Sequence, residues 1–216
     1  VLIEEFVAAP EYSVESLTRG GRTQIVASTE KLTSGAPHFV EVGHNQPAEL
    51  AVDAREPLTR TALAAIDALG IDDAASHVEI KLGRSGPRVI EAAARAGGGF
   101  ITSHLVPLST GIDFLQATIR VALGESPLLE PTMQRGSAVR FVVADPGIVQ
   151  QIDGLQEARQ AAGVVEAMVY TQPGGVVGAL TDATGRLGHI VCQGANRAEA
   201  GRLADEAVRL VRIATS

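Results

Sequence analysis

Tryptophan is absent from this 216-residue sequence, cysteine occurs once, and aromatic residues make up only 3% of it. So few rings leave no platform on which successive bases could stack. The single cysteine, Cys192, excludes an intrachain disulfide and points to a reduced, cytoplasmic setting. It lies in the apolar run "HIVCQG", the setting of a buried structural thiol more than of a nucleophile. Positive charge is also in deficit: 18 Lys and Arg face 25 Asp and Glu, a net charge of -7, which excludes a broad nucleic-acid surface. A cleft that is locally basic, or that carries a metal for a phosphate ligand, is not excluded. No stretch approaches the roughly 18 apolar residues of a membrane span. The first residues carry neither the basic region nor the apolar block of a signal peptide, and Val1 opens on a strand pattern already under way, as in the interior of a longer protein.

What is present suits one large or two small globular cores. "EYSVESLTR" and "RTQIVAST" flank Gly20-Gly21, a hairpin signal. A short strand is expected over Phe39 to Val42. Leu58, Ala62, Ile66 and Leu69 recur at helical spacing before Gly70, so a helix is expected over Ala54 to Leu69. A second helix is expected over Ile112 to Leu123, with Phe114, Leu115, Ile119 and Leu123 inward. The turn-rich "ESPLLEPTMQRGS" divides the chain into residues 1–126 and 127–216. Beyond it, "AVRFVVA", "VVEAMVY" and "LGHIVCQG" read as strands, "GLQEARQAAG" as a helix, and "RAEAGRLADEAVRLVRIA" as a long closing helix. The fold class is therefore α+β: an antiparallel sheet with flanking helices, then a small α/β unit.

The chemistry concentrates in "HVEIKL" and "VIEAAARAGGGF". Alanine, glutamate and arginine favour a helix over Glu91 to Ala96. Pairing the two segments around "GRSGP", with a loop centred on Ser85, instead makes both strands and sets Glu79 opposite Glu91. Like charges directly across a strand pair repel. Magnesium, a hard cation completed by waters and phosphates, offsets that repulsion. Arg95 continues the Glu91 and Ala93 face and is placed to meet a phosphate, and Gly97-Gly98-Gly99 lets backbone N–H groups approach an anion. Two other readings stand beside this one: a solvated hairpin with hydrated acids, and a paired-carboxylate acid catalyst, which leaves Arg95 and the glycines without a use.

These segments, in this order, resemble the ATP-grasp superfamily, and within it the carboxylate–amine ligases of the L-amino acid (dipeptide) ligase branch. "LIEEFVAAPEYSVES" resembles the adenine-holding hinge and "STEKLTSGAPHFVEVGHNQPA" the signature of that branch. "HVEIKL" with "VIEAAARAGGGFI" resembles the metal-binding strands and substrate turn, and the tail resembles the branch's small C-terminal domain. The resemblance implies ATP and one or two Mg2+ (or Mn2+) as cofactors, with an amino acid or other carboxylate and an amine as substrates. It implies a homodimer and an N-terminal ATP-grasp region upstream, bearing the phosphate-gripping lysines. It implies adenine contacts from Glu4, Glu5, Phe6 and Val7, and a ribose contact from Glu11. Glu79 and Glu91 become metal ligands, Arg95 and His44 the catalytic pair at the substrate, and Gly97, Gly98 and Gly99 substrate-binding positions. Where many relatives carry Asn as a further ligand, this chain has Ala93. The implied reaction forms an amide or peptide bond through an acylphosphate, releasing ADP and phosphate. Alternatives are another ATP-grasp ligase of biotin-carboxylase-like or purine-pathway type, or a non-catalytic binding module.

Residue by residue, the plainer uses are these. Glu11 shares a face with Ser13 and Glu15, any of which fits the surface. His44 reads as a loop residue between Gly43 and Asn45, Lys31 as a surface lysine, Lys81 as the partner of an acid, and Arg186 as a turn cap. His38 and His77 receive no role.

Overall fold

The computed structural model describes residues 3–216; Val1 and Leu2, part of the expected first strand, lie outside them. Ile3 to Pro10 form no regular element. A strand needs a hydrogen-bonded neighbour, and the next element, β1 (Glu11–Arg19), already has both sides filled. β2 (Arg22–Thr33) returns from the Gly20-Gly21 turn along one of them. β3 (Glu41–Gln46) starts later than the expected strand, because Phe39 takes a left-handed conformation with φ 49° and so belongs to the preceding turn. α1 (Val52–Ala68) buries Leu58, Ala62 and Ile66 and stops before Gly70, while Leu69 falls outside and is exposed.

β4 (Ala74–Gly83) and β5 (Gly86–Ala93) form the hairpin around Arg84-Ser85, with β5 at the sheet edge. Strand pairing has overridden the helical propensity of the alanine run. A single π turn, Ile101–Leu105, leads into α2 (Val106–Thr110), and α3 (Phe114–Ala122) follows, its first turn capped by Asp113 accepting from the Gln116 N–H. The inward face of α3 corrects the expectation. Phe114, Ala117 and Val121 are buried against Leu17 and Ala75, while Leu115, Ile119 and Leu123 face outward. Both stripes have helical spacing, and only the position of the sheet chooses between them.

In the second part, β6 (Gly136–Val142), β7 (Gly147–Asp153), α4 (Leu155–Gln160), β8 (Val164–Val169), β9 (Val176–Val177), β10 (Gly188–Gly194), α5 (Arg197–Leu210) and β11 (Arg212–Thr215) follow. The closing helix is shorter than expected: it ends at Leu210, and Arg212 to Thr215 pair with β7. One eight-stranded sheet, in the order β5-β4-β1-β2-β3-β6-β10-β8, runs through both parts, because β6 pairs antiparallel with β3. A separate three-stranded sheet has the order β11-β7-β9.

The two faces of the large sheet differ in kind. On one, Tyr12, Val14, Val78 and Ile80 pack under α1. Ala138, Ile190 and Cys192 on the same face lie under the small-residue stripe Ala200, Ala204 and Ala207 of α5. On the other, Glu11, Ser13 and Glu15 of β1 align with Lys81, Glu79 and His77 of β4, so a polar row crosses the strands. The segment from Gly97 through α3 covers part of this second face.

Candidate active site

Lys31 organises the polar row. The β1–β2 register sets it beside Glu11, and its ammonium lies 2.9 Å from Glu11, 2.6 Å from Glu41 at the start of β3, and 2.5 Å from Glu79 on β4. Burial works against the Lys31 charge, but Glu41, Glu79 and Glu11 outweigh it and hold its pKa above the ordinary lysine range. Oxygens of Glu11, Glu41 and Glu79 all come within 4.8 Å of one another, so the same three acids also fit a cation. Lys31 is thus a buried hub, contrary to its expected place at the surface.

His77, also on β4, donates from Nδ1 to Glu15 at 2.6 Å and from Nε2 to Glu79 at 3.0 Å. Burial opposes the imidazolium, but its two carboxylate partners win and raise its pKa to about 9. Burial likewise disfavours the Glu79 carboxylate, and the His77 hydrogen bond with the Lys31 charge brings it down to about 2. Glu15, fully buried, keeps Oε2 without a hydrogen-bond partner among the described residues.

Glu79 and Glu91 are direct cross-strand partners, as expected, by a different route. The turn is one residue tighter than a loop centred on Ser85, and a register shift after Glu79 restores the opposition. Arg95 lies past the end of β5 yet reaches Glu91 at 2.6 Å, and both side chains are about half exposed, at 48% and 49%.

His44 corrects the loop expectation. It sits within β3, opposite Lys31 on one side and Val139 on the other, and is fully buried with its ring edge-on to Phe141. Burial, reinforced by Lys31 and Arg186 against the pull of Glu41, lowers its pKa to about 4. A neutral imidazole has one donor and one acceptor nitrogen, and neither finds a hydrogen-bond partner among the described residues.

The glycine run closes over these groups. A Cβ on Gly97 would lie 2.7 Å from both Glu15 Oε2 and His77 Nδ1, and one on Gly99 would lie 2.7 Å from His44 Nε2, where φ is also +58°. Gly98 is exposed and open. Toward the N-terminus, Glu4, Glu5 and Phe6 are exposed and Val7 half-buried; Phe6 lies 5.5 Å from Phe39, with the Lys81 ammonium 5.3 Å from each ring.

Two family models match the chain. The ATP-grasp domain matches residues 1–104, and the L-amino acid ligase C-terminal domain 2 matches residues 140–216. Residues 1–104 thus belong to the ATP-grasp domain family and residues 140–216 to the L-amino acid ligase C-terminal domain 2 family. The solved L-amino acid ligase from Bacillus licheniformis superposes on this ATP-grasp chain with a TM-score of 0.85 at 27% identity, over 98% of this chain and 55% of that one. An uncharacterized protein, y4rH, from Sinorhizobium fredii (strain NBRC 101917 / NGR234) is 29% identical over 98% of this chain and 43% of its own length. Carnosine synthase 1 from Homo sapiens is 32% identical over 62% of this chain and 16% of its own length. Phosphoribosylglycinamide synthetase from Anaerococcus prevotii, at 19% identity and a TM-score of 0.84, shares the fold. The ATP-grasp chain therefore spans about half of the solved ligase and of the Sinorhizobium protein, and a sixth of the human one.

Sequence reasoning gave four members of the site too little weight. Glu15 and His77 lie on the polar row only because β1 and β4 are neighbours. Glu41 joins through the geometry of β3, and Arg186 reaches its carbonyl and carboxylate, each at 2.9 Å, from 145 residues away. The alternation of Glu11, Ser13 and Glu15 in one strand was the available signal, since three polar residues on one face need a use when that face is covered.

Proposed function

We propose that the chain is the C-terminal part of an ATP-dependent carboxylate–amine ligase, one that activates a carboxylate as an acylphosphate and passes it to an amine. The observation that carries this is the opposition of Glu79 and Glu91 on one face with Arg95, beside the Lys31 cluster and beneath the glycine run. Both acids offer the hard oxygen donors that magnesium takes; Glu79 is ionised and Glu91 stands open enough to leave room for waters and phosphates. Such an ion supplies charge neutralisation on the ATP phosphates.

The remaining groups position and shield. Arg95 presents a forked donor to the transferred phosphoryl group. Lys31 and His77 hold the Glu79 carboxylate in a fixed place and orientation, so it need not reorganise during the reaction. His44, neutral and fully buried, lies directly behind Gly99 and backs the substrate-facing turn. Gly97 and Gly98 bring backbone close to the acylphosphate, and a covered site keeps water from it. Glu4 to Val7 and Glu11 lie at the ATP end, and the phosphates are gripped from the other side by an upstream ATP-grasp region.

The test is ATP-dependent phosphate release with mixtures of amino acids, for this chain alone and joined to its upstream region. Release that needs Mg2+, a carboxylate and an amine together supports the proposal. A longer protein that neither releases phosphate nor binds Mg–ATP sinks it.

A further inference from the structure

The segment after the glycine run packs across β6 and β10, setting Phe100, Leu105 and Leu108 on Val139, Phe141 and Val191. At β8, the far edge of the sheet, one carboxylate meets two imidazoles. Glu166 accepts a hydrogen bond from His189 Nε2 at 2.7 Å, and its other oxygen lies 3.3 Å from His104 Nε2. His189 is buried on β10, where its Nδ1 meets the Tyr170 hydroxyl. His104 belongs to the π turn, and its Nδ1 lies 2.8 Å from Ser103 Oγ. Burial disfavours the Glu166 carboxylate, but the His189 hydrogen bond outweighs it and keeps its pKa below the ordinary range.

Phe100 sits between the two imidazoles. Its ring stacks on His189 at 4.1 Å and meets His104 edge-on at 5.1 Å, so Glu166, His189, Phe100 and His104 close a ring of contacts. Phe100 also ends the glycine run in a left-handed conformation, φ 69°, directly after Gly99 at φ +58°. A residue with a side chain adopts that region at a cost, and stays there only where its surroundings over-determine it. The ring of contacts supplies that constraint. Two left-handed residues in succession set the path of the turn, and Gly99 already stands against His44 with no room for a Cβ. Relaxation of Phe100 would carry the turn away from the polar row.

We infer that Glu166 is a positioning residue: from β8 it clamps His104 and His189 on either side of Phe100, and thereby fixes the shape of the substrate-facing glycine turn. The inference rests on the ligase reading above and adds a residue from the second part of the chain to the working parts of the site. Its effect passes through Phe100. A turn held in one shape keeps water from the acylphosphate until the amine attacks. A loosened turn admits water, which adds to the acyl carbon as phosphate leaves and returns the free carboxylate in place of the amide.

The test uses the chain joined to its upstream region. In Glu166→Ala, amide hydrogen exchange over residues 97–105 is expected to quicken at least about tenfold, the scale of a lost charge-assisted hydrogen bond, while β1 and β2 exchange as in wild type. The kcat for amide formation is expected to fall about tenfold to a hundredfold, the KM for ATP to stay unchanged, and the phosphate released per amide formed to rise. His104→Ala, at a part-exposed position, opens the same ring of contacts and is expected to give the same changes, with the double variant no worse than either single one. It also keeps the test open if Glu166→Ala does not fold. Glu166→Asp, shorter but still a carboxylate, is expected to recover part of the coupling. Unchanged exchange in both single variants overturns the clamp whether or not turnover occurs. Quickened exchange with unaltered kcat and phosphate-to-amide ratio also overturns it, because the contacts then serve stability alone. A wild type that releases no phosphate with any carboxylate and amine counts instead against the ligase reading, and exchange still decides the clamp.

Discussion

His77 donates to the fully buried carboxylate of Glu15 at 2.6 Å, and its other nitrogen holds Glu79, so a charged pair beneath the sheet face fixes the acid assigned to the metal. The imidazolium is therefore part of the site's support, and its titration should show in stability. The His77 pKa is about 9 in the folded protein against 6.5 in the unfolded chain. A raised folded value means the contribution is whole below pH 6.5 and fades as pH rises through 9. Denaturant melts of the metal-free protein between pH 6 and pH 10 are expected to show this loss, and His77→Gln to flatten it; an unchanged alkaline limb in the variant contradicts the assignment.

Lys31 carries more. Lys31→Met leaves Glu11, Glu41 and Glu79 around an apolar group where a buried cation stood. The expected cost is about 3–5 kcal/mol, the range for breaking a buried charge pair by removing one partner. Millimolar Mg2+ is expected to return part of that stability in a thermal melt, since the three carboxylates then share another cation.

Glu91 differs because it is half exposed and, among the described residues, paired only with Arg95. Glu91→Gln should change stability by no more than about 1 kcal/mol, as for exposed ion pairs. Metal-dependent phosphate release should fall by at least about 100-fold, the scale of removing one preorganised electrostatic group. Turnover that survives the substitution removes Glu91 from the metal site.

The three glycines separate by geometry. Gly99→Ala forces a side chain into a left-handed conformation and against His44, at an expected cost of about 1–3 kcal/mol. Gly97→Ala presses a methyl group onto Glu15 and His77 and should also lower Tm. Gly98→Ala meets nothing and should stay within about 0.5 kcal/mol of wild type. Equal melting temperatures for all three variants contradict the close approach described here.

Local patterns carried much of this fold. The Gly20-Gly21 hairpin and the α1 stripe follow from spacings of two or of three and four residues, which a single segment contains, while the pairing of Glu79 with Glu91 also needs the register shift after Glu79. Cys192 is buried with its pKa pushed up to about 12, as its apolar neighbours implied. Spacing failed where a segment offered two answers. α3 has two apolar stripes, and the tail after Leu210 continued a helical pattern that β7 captured as a strand.

By itself the sequence determined the Gly20-Gly21 hairpin, the α1 helix, the hairpin that carries Glu79 and Glu91, and the family resemblance, because each resides in contiguous residues whose chemistry is local. Tertiary structure alone decided that Lys31 is a buried hub, that His77 bridges two acids, that His44 lies within the sheet, and that Arg186 reaches Glu41. Those relationships depend on which strands are neighbours, and burial then sets the charge of each group, so no window of sequence contains them.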